Sequence, residues 1–378
     1  LFLKKFKKRF VLLREERIGH QIGNFDVEIF KAEKRLKEER IKTYFIFATP
    51  LSLVSNLYLR KCIKELIHYK KHKYICLNEN QFLDKFLIYL FSNHSQYLKN
   101  NKYLYFANAD RGKKISSPIL STSNNFNTLL ESLGVRYGGY ICIYSRDQKY
   151  LINRFPQNDW SYQEHRNSDI NNYKLLSEYV TDNKINHVIR VGSCTKNILK
   201  WEKNGQFKII DYANSNYQNS KNDIDLICGC KLFIASGGGP DSIAIASRKD
   251  IIKINVVPIG DEDGELYTYG LWMPKIHIKN QNYLSLEEIC KLKMHRADTN
   301  IEYEKNNITL KENTSEEILN CFKDYIKYKS NSFTKYDKKI IEKFQAKRSY
   351  LAMKYRIFKN SFNFIAPSFL LKYPKLLN

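Results

Sequence analysis

The residues best suited to chemistry form one run, Ser236-Gly-Gly-Gly-Pro-Asp-Ser242, directly after the apolar stretch Leu232 to Ala235. The pattern predicts a short strand, a turn of bare backbone and a helix opened by Pro240, with Asp241 or Ser242 available to cap its free amides. Such a junction turns several N–H groups and the positive end of a helix dipole toward one point, which suits phosphate. A tight turn that needs positive φ accounts for one glycine, and Gly237, Gly238 and Gly239 exceed that need. The spacing is not Gly-x-Gly-x-x-Gly, and no Walker lysine follows. Two arginines stand in comparable places. Arg146 follows the apolar run Tyr140 to Tyr144, and Arg190 ends the run from His187. In α/β sheets ligands gather outside the carboxyl ends of strands. A guanidinium there offers a planar, permanently charged fork for phosphate or carboxylate. Arg146, Arg190 and the glycine turn are therefore predicted to converge and hold a diphosphate without a metal. The competing reading is that Arg146 and Asp147 merely pair with neighbours. His20, after Arg17 and Gly19 at a presumed strand-to-helix junction, is placed as a general base or substrate ligand, against the ordinary structural role of a lone histidine.

Other chemistries leave no mark. There is no Gly-x-Ser-x-Gly elbow and no zinc-protease histidine pair. The eight cysteines are scattered, with no Cys-x-x-Cys, as expected of reduced thiols in a cytosolic protein. Cys228 and Cys230 are read as alternating along a strand. The acidic run Asp261 to Glu265 reads as a solvated loop.

The elements that must position these residues alternate in type. Tyr44 to Ala48, Tyr74 to Leu77 and Tyr103 to Phe106 are strand-like and separated by helical patterns, which predicts an α/β domain with a largely parallel sheet. Gly138-Gly139 marks a break, and Tyr140 to Tyr144, His187 to Arg190, Leu232 to Ala235 and Ile251 to Val257 supply a second α/β unit. The expected domains are thus residues 1–137, 138–300 and a helical segment 301–378. Residues 1–16 place Leu3, Phe6, Phe10 and Leu13 on one helical face among lysines and arginines, a basic amphipathic helix suited to an anionic membrane surface or to packing on its own domain. Ser285 with Glu288 forms a capping-box pattern.

The 378 residues carry 63 Lys and Arg against 39 Asp and Glu, a formal charge of +24, with 43% hydrophobic and 14% aromatic residues. This is a folded protein whose charge favours anionic partners. Enrichment in Lys, Asn, Ile and Tyr together has the look of genome composition, so charge alone identifies no partner. No run approaches the roughly 20 apolar residues of a membrane span, and no signal peptide is evident.

Several blocks together resemble the glycosyltransferases encoded in bacterial surface-polysaccharide clusters, a group with an N-terminal Arg-Ile-Gly-His signature. Here the blocks are Arg17-Ile-Gly-His-Gln-Ile-Gly-Asn24, Tyr144-Ser-Arg-Asp-Gln-Lys-Tyr150 (Tyr144 replacing the family's usual histidine), Arg166-Asn-Ser-Asp-Ile170, Val188-Ile-Arg-Val-Gly192, Asp211-Tyr212, Asp225-Leu226 and Ser236-Gly-Gly-Gly-Pro240. They span nearly the whole chain in the expected order. The resemblance implies a GT-B-like α/β fold: two facing Rossmann-type domains with a nucleotide-sugar cleft, and C-terminal helices returning to the first domain. It implies a metal-independent transfer from a nucleotide sugar to a surface-glycan or lipid-linked acceptor, and the basic excess with the amphipathic N-terminus suits a cytoplasmic enzyme peripheral to the inner membrane. The donor would be held by Arg146, Arg166, Asp169, Arg190, Gly192, Asp211 and the Ser236–Ser242 turn, and the acceptor by Arg17, Gly19, His20 and Asn24, with His20 the base of an inverting reaction. The rivals are an epimerase of the same fold and a nucleic-acid-binding protein. The second is disfavoured by dispersed basic residues and the absence of a recognition module.

Overall fold

In a computed structural model of the chain, the structure describes residues 8–13, 29, 32–47, 49, 51, 54–77, 81, 104–106, 120–193, 195, 197–261, 270–355 and 364–378. The chain divides into two compact units, Leu1–Ser121 and Thr122–Asn378.

In the first unit, β1 (Lys8–Leu13), β2 (Lys42–Phe47), β3 (Lys73–Cys76) and β4 (Leu104–Phe106) form a parallel sheet in the order β3-β2-β1-β4. Helix α1 (Leu57–Tyr69) starts at Asn56, whose side chain accepts from Leu59 N. The expected amphipathic helix over residues 1–16 is overturned where it is described. Lys8–Leu13 is an inner strand, and Val11, Leu12 and Leu13 are buried in succession. A strand covered on both faces reads as a continuous apolar run. The same residues fit a helical stripe only because Phe10 and Leu13 happen to stand three apart.

The second unit opens earlier than the expected break at 137. Ser123 donates from N and Oγ to the buried carboxylate of Asp225, at 2.7 and 2.6 Å. Phe126 of α2 (Phe126–Ser132) lies so close to Gly229 that a Cβ there would meet its ring at 2.3 Å. Next come β5 (Tyr140–Tyr144), α3 (Lys149–Arg154), α4 (Lys174–Asp182), β6 (His187–Arg190), α5 (Ser220–Gly229), β7 (Leu232–Ala235), α6 (Gly239–Ala246), β8 (Asp250–Val256) and β9 (Gly270–Pro274). Cys228 thus belongs to a helix, not to the expected strand, and the seven described cysteines are free thiols. Beyond β9 lie β10 (Ile276–Lys279), α7 (Leu286–Lys291), α8 (Asn300–Lys305), α9 (Ser315–Lys329), α10 (Lys335–Tyr355), β11 (Phe364–Ile365) and α11 (Pro367–Lys372). The Ser285–Glu288 capping box forms at the start of α7.

Six strands make one parallel sheet in the order β11-β9-β8-β7-β5-β6. From β5 the chain moves outward to β6 and returns to the other side of β5 as β7. The strand order therefore reverses between β5 and β7, where such sheets leave a crevice at their carboxyl ends. The C-terminal helices belong to the second unit. Strand β11 pairs with β9, and Phe322, Phe344, Leu351, Phe369 and Leu370 share one core with Ile234, Ile252 and Trp272. An amphipathic helix declares that it must cover something, without naming what. No described helix is long and apolar enough to cross a membrane.

Candidate functional site

The reversal between β5 and β7 brings Tyr144 level with Ala235, so Ser145-Arg146 leaves the sheet beside Ser236-Gly237. The two exits are stapled together. Arg146 N donates to Ser236 Oγ at 2.8 Å, and Ser236 N donates to Tyr144 O at 3.2 Å. Gly237 and Gly238 take φ of +86° and +143°, and Gly238 caps α6. The backbone N–H groups of Gly237, Gly238 and Gly239 have no hydrogen-bond acceptor among the described residues, and all three glycines are partly exposed. Unpaired, partly sheltered amides at a helix N-terminus form an anion-binding concavity. Asp241, in the first turn, is buried and offsets part of the dipole, so the loop amides rather than the helix carry most of the attraction.

Arginines complete the positive field unequally. Arg146 is buried, and its Nη2 donates to Gln163 Oε1 at 2.5 Å. Half-buried Arg166 makes no ion pair or hydrogen bond among the described residues. Arg190 is placed otherwise than expected. It is only 2% exposed, pairs with Asp211 at 3.5 Å and donates to Asn197 O at 2.5 Å. Asp211 also accepts from Leu199 N and Asn214 Nδ2, each at 2.8 Å. Together they clamp the segment after β6. Asp169 is likewise a cap, accepting from Asn171 N at 2.9 Å in the turn that follows. Ser242 is half-buried on α6. Arg17, Gly19, His20 and Asn24 lie outside the described residues.

The loop holding Gln163 and Arg166 is fixed by a buried polar relay that sequence reasoning missed. Ser145 Oγ donates to Ser168 O at 2.6 Å, and Ser168 N donates to Arg146 O at 3.0 Å. Asn255 Nδ2 donates to Ser168 Oγ at 2.7 Å. Asn255 and Asn313 exchange backbone-to-side-chain bonds of 2.7 and 2.6 Å, and Asn313 Nδ2 donates to Pro274 O at 2.9 Å. Lys275 Nζ donates to Asn167 O at 2.6 Å and pairs with Glu312 at 3.4 Å. The one sequence signal was Asn255, an amide inside the β-branched run of β8. His165 is held by Asn300, whose Oδ1 accepts from its N and Nδ1 at 2.8 and 2.9 Å. Burial, reinforced by the charges of Arg166, Arg146 and Lys275 against the Asn300 bond, pushes its imidazole down to about 4. It is neutral near pH 7, chiefly because burial disfavours its charged form.

Adding a side chain at Gly238 tests the turn. A Cβ there would stand 3.1 Å from the Tyr144 ring, on backbone at φ +143°. Gly238→Ala is expected to cost about 1–3 kcal/mol of local strain and to weaken phosphate binding roughly tenfold in titration. Unchanged affinity would place the anion elsewhere.

No family model matches the chain, and no curated protein matches it. Solved structures give a likeness of fold. The chain is similar to two glycosyltransferases. One is the ADP-heptose LPS heptosyltransferase II of E. coli, at 11% identity and a TM-score of 0.42 over 85% of this chain and 99% of that one. The other is a family 9 glycosyltransferase of Veillonella parvula, at 10% identity and 0.42 over 77% and 92%. A UDP-GlcNAc 2-epimerase of Methanocaldococcus jannaschii, solved with UDP-GlcNAc and UDP, is similar at 13% identity and 0.26 over 68% and 71%.

Proposed function

We propose that the chain is a glycosyltransferase of GT-B-like architecture that takes its sugar from a nucleotide donor. The observation that carries this reading is the row of unpartnered Gly237–Gly239 amides beside Arg146, at the carboxyl end of a parallel sheet where strand order reverses. As the bond from sugar to diphosphate breaks, negative charge grows on the leaving group. Fixed amides and guanidinium groups stabilise charge where it develops without reorganising at that moment. Arg146 is the candidate catalytic residue for that step. His20, with Arg17, Gly19 and Asn24, is proposed on the acceptor side, as base if the reaction inverts. The acceptor is proposed to be a surface glycan or lipid-linked glycan in a surface-polysaccharide or lipopolysaccharide route, met by a cytoplasmic enzyme peripheral to the inner membrane. A net charge of +24 supports attraction to an anionic lipid surface.

The test is a panel of UDP-, GDP-, ADP- and CMP-sugars assayed for transfer, hydrolysis and epimerisation, with melting followed against the matching nucleotides. At least one nucleoside diphosphate is expected to raise the melting temperature, by about 2.7 kcal/mol of stabilisation at 100 times its Kd. Turnover is expected to survive EDTA. A single-stranded oligonucleotide at moderate salt is expected to leave melting unchanged. Stabilisation by the oligonucleotide alone, or an epimerised donor without transfer, would replace this reading.

A further inference from the structure

Tyr144 ends β5, and its ring is wedged between two glycines of neighbouring strand exits. A Cβ on Gly192, past β6, would lie 3.4 Å from Cε2 and 3.5 Å from Cδ2; one on Gly238, past β7, would lie 3.1 Å from Cε1 and 3.2 Å from Oη. Opposite edges of the ring therefore face the two glycines, and the hydroxyl edge faces the turn with unpartnered amides. The backbone beneath is pinned, since Tyr144 O accepts from Tyr173 Oη at 3.0 Å and from Ser236 N at 3.2 Å. Tyr144 Oη itself has no hydrogen-bond partner among the described residues. A half-buried phenol oxygen with no partner among the described residues, set at the edge of the glycine turn, is available to bond a ligand that enters there. Burial raises its pKa above the ordinary phenol value, with Arg146 opposing and Asp241 and Asp147 reinforcing, so it remains a donor throughout the working range.

We infer that Tyr144 Oη is a ligand-contacting donor, bonding a phosphate oxygen of the nucleotide alongside the Gly237–Gly239 amides. The inference rests on the nucleotide-binding reading above. Its ring also explains why Gly192 and Gly238 have no side chain: a larger residue at either would move the hydroxyl away from the turn.

Tyr144→Phe keeps the ring between the glycines and removes only the oxygen. The wild-type protein and Y144F are titrated by calorimetry with the nucleoside diphosphate that binds wild type best, and with its nucleoside lacking phosphates. Y144F is expected to bind the diphosphate about tenfold more weakly, bind the nucleoside as wild type does, and melt at the wild-type temperature. Unchanged diphosphate affinity would overturn the inference while leaving the nucleotide reading intact. Equal weakening for nucleoside and diphosphate would also overturn it, by assigning the tyrosine to packing. If wild type binds no nucleotide in the panel, both fall together.

Discussion

Arg146→Ala is expected to lower nucleoside diphosphate affinity about 100-fold or more and to slow transfer at least as much, with the fold retained. A hydrogen bond to a charged group is worth about 1.5–3 kcal/mol, and a guanidinium meets phosphate oxygens through two donors at once. The neighbourhood amplifies this effect, because the group is sheltered from water and stands next to amides with no other acceptor. The fold should survive because what ties Arg146 into the sheet is its backbone: N to Ser236 Oγ, and O from Ser168 N. Its side chain donates to Gln163, whose half-buried amide can turn to water. Arg146→Lys, which keeps the charge and loses the planar fork, is expected to fall between the two. Calorimetric titration of the three proteins decides it. Equal affinities would remove Arg146 from the site.

Arg190→Ala is expected to act through stability. Removing one partner of a buried pair leaves the other charge uncompensated, at about 3–5 kcal/mol. Asp211 would keep its bonds from Leu199 N and Asn214 Nδ2 but lose its counter-charge, and Asn197 O would keep only the longer bond, 3.3 Å, from Asn214 Nδ2. The variant is expected to melt several degrees lower, with nucleotide affinity per folded molecule changed far less than in R146A. Exchanging both partners for apolar residues, as in R190M/D211L, should recover part of the loss. A stable R190A that no longer binds nucleotide would return Arg190 to the ligand.

The contrast between these arginines marks how far the sequence could be read. Both follow apolar strands, and both were expected to reach one diphosphate. What separates them is an acid brought alongside by folding: Asp211 lies far along the chain, and no spacing announces that it closes on Arg190. The glycine turn was legible because its chemistry is local. Strand, bare backbone and Pro240 stand consecutively, and Leu232–Ala235 followed by Gly239–Ala246 forms as the pattern implies. The parallel α/β character of both units was legible for the same reason. Partner choice was not. Residues 8–13 carry a pattern that fits a stripe or a strand, and only pairing with β2 and β4 decides it. Helices α9, α10 and α11 were recognisable as helices, but the sheet they cover was a matter of tertiary contact. Tyr144 stood out only as a departure from a resemblance, and its wedge between Gly192 and Gly238 requires three strands to be assembled.

The relay from Ser145 through Ser168 and Asn255 to Asn313 has a consequence for how this protein would tolerate change. Its members touch no ligand in any arrangement proposed above, yet each holds the next in register. Drift at Asn313 would therefore be felt two strands away, as a slackening of the loop that aims Arg166. Variation screens should find loss-of-activity positions scattered behind the sheet, deaf to substrate identity and grouped only by their place in one continuous thread of amides and hydroxyls.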